Sequence, residues 1–185
     1  MEKRLKKRNV LSVGGVVNPL AGKKVLLIGS GSDLNGRKMG DRISAAECEW
    51  DMIARVNRPY GDAEDVGKRL DLCFVCRRVW LNYNFNPSFL RSGFRVIAFD
   101  DGVGCEQGYR SKAALGANIG TKSSTGFAAA YWLLEQGATV EIIGFGSREN
   151  MSVKTYPDGT VDNNPNYDWA AERQWLEAQP NVKFL

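Results

Sequence analysis

Two glycine-marked turns hold the residues best suited to chemistry. Gly29, Ser30, Gly31 and Ser32 follow the apolar run 25–28, and Ser123, Ser124, Thr125 and Gly126 open a mostly apolar stretch that reaches Leu134. Beyond it a second strand-like run, 139–143, closes on Gly144, Phe145 and Gly146. A helix that begins with hydroxyls and a glycine leaves its first backbone N–H groups free. Those groups, with the positive end of the helix dipole, suit a phosphate. Two anion-receptive turns in one small chain point to a nucleotide or nucleotide-sugar site.

Other chemistries fit the residues less well. The chain has no histidine, which excludes Ser-His-Asp and Cys-His catalysis. Gly29 and Gly31 satisfy only the first two glycines of a dinucleotide fingerprint, because position 34 is leucine. The next strand ends in Arg55, Val56 and Asn57 rather than the acidic residue that would hold a ribose diol. No Walker A loop occurs. Of the four cysteines, Cys48, Cys73, Cys76 and Cys105, two form a C-x-x-C. That pair lies inside a strand-like run, where the two side chains face opposite ways, a poor geometry for a shared metal. Buried, reduced thiols are the favoured reading, and neither a metal nor a cofactor is expected.

The elements that must position these turns follow from the apolar pattern. Strand-like runs lie at about 24–29, 51–56, 70–76, 94–99 and 139–144, several without clean alternation, as strands buried on both faces require. Helices are expected at about 126–136 and 167–178. In the second, Trp169 and Leu176 share one face, widened by Ala171, Trp175 and Ala178, and Pro180 follows its end. Strands alternating with helices predict an α/β fold, a three-layer Rossmann-like sheet in a single domain over 21–185. Two long loops, about 101–122 and 145–166, remain; loops of that length are usually functional or disordered.

The net charge of +4 has a local source. Residues 1–8 hold five basic side chains and one acidic one, and the rest of the chain is balanced. This arm, within residues 1–20, could touch nucleic acid or an anionic membrane, or simply be a solvated terminus. The short run 10–17 loosely resembles a signal peptide's apolar region, but it contains Gly14 and Gly15 and meets Asn18-Pro19. No stretch is long enough to span a bilayer.

The residues in their order resemble the sialyltransferases that use CMP-sialic acid, as a short member of bacterial or phage type. The family's long motif is similar to residues 25–34, Gly40, 51–59 and 64–69. Its short motif is similar to Ser123 through Gly126 and then 140–146. Its very short motif, a histidine followed five positions later by glutamate, aligns with Tyr167 and Glu172. Together these segments span most of 24–177.

The resemblance implies a sialyltransferase-like fold and a nucleotide-sugar donor, with a CMP-sugar the leading candidate. It implies that Asn57, Ser124, Thr125 and Gly126 contact the donor's phosphate and ribose, and that Ser30 takes the place of a family asparagine of similar duty beside Gly29. The family's catalytic histidine is replaced by Tyr167, and a further family histidine has no counterpart. A tyrosine pKa of about 10 suits general-base work poorly at neutral pH, so Asp168, or else Asp158 or Asp162, is expected to serve. The family's linking cysteine pair is missing, with Lys24 and Gly137 near those positions, which fits a reducing cytoplasm. The expected function is metal-independent glycosyl transfer to an unknown acceptor without a membrane partner. A catalytically silent nucleotide-sugar binder is the alternative, and nucleic acid as acceptor is a third idea motivated by the basic arm alone.

Overall fold

A computed structural model of the chain describes residues 19–57, 62–76, 95–99, 123–146, 154–162 and 167–185. The basic arm, the run 10–17, Cys105, the loop 101–122 and parts of the loop 145–166 lie outside the described residues.

The apolar runs become parallel strands. β1 (Lys24–Ile28), β2 (Met52–Val56), β3 (Leu72–Cys76), β4 (Arg95–Phe99), β5 (Thr139–Ile143) and β8 (Val182–Phe184) form one sheet in the order β4-β3-β2-β1-β5-β8, every neighbouring pair parallel. Both faces are covered. Val25 and Leu27 of β1 enter one core with Phe74, Phe127 and Leu133, while Leu26 and Ile28 enter another with Ile43, Trp50 and Val66. This is the three-layer Rossmann-like α/β arrangement, and it explains why the strands do not alternate polar with apolar.

Helices α1 (Gly40–Ser44) and α2 (Ala63–Val66) supply the second core. α3 (Thr125–Glu135) and α4 (Trp169–Glu177) cover the first face. α3 starts where Ser124 accepts a hydrogen bond from Phe127 N–H at 3.1 Å, a standard N-cap. It stops at Gly137, whose φ of +79° lets the N–H groups of Gly137 and Ala138 turn back to Leu134 and Leu133. Trp175 of α4 packs edge-on to Phe127 and stacks on Tyr131, joining the two helices. Trp169 is only half-buried, its ring 5.8 Å from that of Tyr167. The buried positions of α4 are Glu172 and Leu176.

Beyond α1 and α2, two more features add to the expected elements. The segment read as a long loop contains a small hairpin, β6 (Lys154–Thr155) and β7 (Val161–Asp162), and β8 extends the sheet past Pro180. One buried charge serves the fold. Arg55 on β2 donates to the carbonyls of Val66, Gly67 and Arg69, closing the end of α2, and burial pushes its guanidinium down to about 10.

Candidate functional site

The strand order reverses between β1 and β5: β1 to β4 build outward on one side, β5 and β8 on the other. In open α/β sheets the crevice at the carboxyl ends of two such strands is where ligands bind. All eight residues singled out from the sequence reach that edge. Gly29 and Ser30 leave β1, Asn57 leaves β2, Ser124, Thr125 and Gly126 start α3, and Tyr167 and Asp168 start α4.

Close backbone approach assembles the crevice. Gly29 N–H donates to Ile143 O at 2.8 Å and Gly31 N–H to Gly144 O at 2.7 Å. A Cβ on Gly29 would lie 2.2 Å from Gly144 O and 2.7 Å from the Phe145 ring, and one on Gly126 would lie 2.9 Å from the far side of that ring. Phe145 is therefore wedged between the two glycine turns: the Gly144 carbonyl leaves no room for a Cβ at Gly29, and a Cβ at Gly126 would have to displace the ring. Here the structure corrects the anion-receptive reading of the first turn. The N–H groups of Gly29 and Gly31 are already bonded to β5 and the residue after it, because the turn must dock on its neighbour.

The second turn is partly engaged as well. Ser124 gives both its N–H and its hydroxyl to the carboxylate of Glu172, the hydroxyl at 2.6 Å from Oε2. Glu172 is buried, and it takes at the α3 N-terminus a place an external anion would otherwise take. The N–H groups of Thr125 and Gly126 have no acceptor among the described residues.

Two side chains stand apart. Ser30 is 2% exposed and Thr125 6% exposed, and neither hydroxyl has a hydrogen-bond partner among the described residues. Buried hydroxyls are nearly always partnered, and leaving one bare costs about 1–3 kcal/mol. Asn57 has a φ of +56°, its N–H donates to Phe74 O at 2.6 Å, and its side-chain oxygen accepts from Cys76 N–H at 3.2 Å. Its amide NH2 has no partner among the described residues. Cys73 beneath it is buried, which pushes its thiol up to about 12 despite the nearby Arg55 guanidinium.

The four candidate bases have different settings. Asp168 is exposed and caps α4 by accepting from Ala171 N–H at 2.9 Å. It stands one turn before Glu172, on the helix end that faces Ser124. Tyr167 precedes it. Asp158 lies in the hairpin turn, where Thr160 N–H holds its carboxyl below the usual range. Asp162 is the last residue of β7. The hairpin is tied to the site's edge by Asn35, which donates to Pro157 O at 3.1 Å.

The sheet order and the switch point are those of an open α/β sheet, and superposition on a solved structure decides which kind. The chain has a sialyltransferase-like fold. A solved mammalian sialyltransferase, in complex with Gal-beta-1-3GalNAc-ortho-nitrophenol, superposes with a TM-score of 0.59 at 14% identity, over 88% of this chain and 69% of that one. No family model and no curated protein matches the sequence. Among the described residues there is no cluster of potential metal ligands, and no helix is long and apolar enough to cross a membrane.

Three contributors are not among the site residues expected from the sequence. Asp33, Arg173 and Glu172 hold the crevice together by contacts spanning 27 to 113 residues. Glu172 had a signal, its place in the very short motif; Asp33 had only its position beside the first glycine turn.

Proposed function

We propose that the crevice between β1 and β5 binds a nucleotide sugar, with a CMP-sugar the preferred donor, and that the protein transfers its sugar without a metal. One observation carries the reading: the hydroxyls of Ser30 and Thr125 are buried, without a partner among the described residues, and borne on the two turns that Phe145 joins. The N–H groups of Thr125 and Gly126, at the positive end of α3 and without an acceptor among the described residues, suit the donor phosphate. The Asn57 amide suits the ribose or phosphate from the β2 side. The sialyltransferase-like fold supports a donor of this class.

Inverting transfer needs a base to take the acceptor's hydroxyl proton while the nucleotide phosphate leaves toward the α3 N-terminus. We assign the base to Asp168, at the start of α4, with the Tyr167 phenol as its competitor. The thermal response to CMP, UDP, GDP and their sugars tests the donor. A rise in melting temperature with cytidine nucleotides supports the assignment, and a flat response to every nucleotide removes it.

A second reading, a nucleotide-sugar binder without turnover, is favoured by one feature: Asp168 already uses its carboxylate to cap α4, and no histidine backs it. Hydrolysis of the donor in the absence of acceptor separates the two.

A further inference from the structure

The turn after β5 is held from more sides than a link to a surface hairpin requires. Gly144 and Gly146 have φ values of +74° and +83°, and N–H groups in such a turn can converge into a seat for an anion. The anion here belongs to the chain. Asp33 Oδ2 accepts from Gly144 N–H at 3.0 Å and Oδ1 from Gly146 N–H at 2.8 Å. Arg37 grips Asp33 in turn, Nε to its carbonyl at 2.8 Å and Nη2 to its carboxylate at 3.2 Å. From the other side Arg173 of α4 donates to Gly146 O at 2.8 Å. Between these anchors sits Phe145, whose ring separates Gly29 from Gly126.

We propose that Asp33 is a positioning residue for the nucleotide crevice. By fixing the Gly144–Gly146 turn it sets the ring of Phe145, and through that ring the spacing between Ser30 and Thr125 that a ligand must bridge. Asp33 acts through the turn and not on the ligand: both carboxylate oxygens are engaged, and its charge would repel a phosphate. The proposal rests on the nucleotide reading above.

The test is calorimetric titration of CMP into the wild type, Asp33→Asn, Arg37→Met and Phe145→Leu, with melting temperatures taken without ligand. An asparagine keeps the size but sets an NH2 group against one of the two backbone N–H groups. One charge-assisted bond is lost, and CMP affinity should fall by about tenfold or more. Arg37→Met leaves both turn bonds in place, so it should lower the melting temperature and keep the affinity. Wild-type affinity in Asp33→Asn, whatever its melting temperature, overturns the proposal. So does an equal loss in Arg37→Met, which would mean general loosening. If Asp33→Asn does not fold, Phe145→Leu decides: reduced affinity supports the spacing role and unchanged affinity overturns it. Failure of the wild type to bind CMP overturns the cytidine preference, and failure to bind any nucleotide overturns this proposal with the nucleotide reading; binding that every variant keeps overturns the positioning role alone.

Discussion

Ser30 and Thr125 differ from the other candidate residues in what their side chains lack. Ser124 is fully used: it caps α3 and holds Glu172. Gly29 and Gly126 are explained by the approach of Phe145. For the two bare hydroxyls no structural use is present among the described residues, and this yields a prediction of opposite signs. Ser124→Ala should destabilise the protein by about 0.5–2 kcal/mol through the lost cap. Thr125→Val and Ser30→Ala should leave stability unchanged or raise it, since each removes an unsatisfied buried group. Chemical denaturation of the three variants without ligand checks this; a large loss in Thr125→Val would make that hydroxyl structural. The base is argued at the same scale. Asp168→Asn retains an oxygen for capping and removes the basic group, so turnover should drop by roughly 10²–10⁴ with donor affinity retained. Steady-state kinetics beside Tyr167→Phe decide between carboxylate and phenol: a comparable loss in the tyrosine variant would transfer the role to Tyr167.

At the scale of elements, the wedge of Phe145 explains the two glycines together. Gly126→Ala puts a methyl against the ring, and the overpacking should cost about 1–3 kcal/mol, more than the gain in helix propensity. Combining it with Phe145→Leu should restore part of the loss in thermal unfolding; additive losses would mean that the two do not meet. α2 offers a pH test. Lys38 N–H and then Gly36 N–H hold the Asp65 carboxyl below its ordinary range. A depressed native pKa contributes stability above the unfolded value of about 4 and loses it as pH falls through the lower native one. Asp65→Asn should flatten the acid side of the stability curve below about pH 4, measured by denaturant unfolding; parallel curves would show that Asp65 contributes nothing there.

How much was legible follows from the range of each interaction. The runs of β1, β2, β3 and β5 are apolar on both faces, so burial alone marks them; hydroxyls and a glycine marked the start of α3, and an apolar stripe followed by Pro180 marked α4. β8 is only three residues with Lys183 at its centre, and it exists by pairing with Val140, Glu141 and Ile142. α1 and α2 are single turns, too short for a helical period. The candidate site was legible as two turns, but the sequence could not indicate that Gly29 and Gly31 dock on β5 or that Glu172 fills the seat beside Ser124. Those contacts depend on which strands are neighbours.

On the scale of the molecule, the switch between β1 and β5 brings together the ends of β1, β2 and β5 and the starts of α3 and α4 at one edge. Among the described residues nothing in the core depends on the hydroxyls of Ser30 and Thr125, so binding and folding can be separated by mutation at these two positions. The direct test is titration of CMP into the wild type and into the Ser30→Ala, Thr125→Val double variant, with melting followed in parallel. The wild type should bind saturably, and CMP at roughly 100 times its Kd should add about 2.7 kcal/mol of stability. The folded double variant should lose most of that binding. CMP that does not bind, or that binds the double variant as tightly as the wild type, contradicts a cytidine-nucleotide site at the β1–β5 crevice.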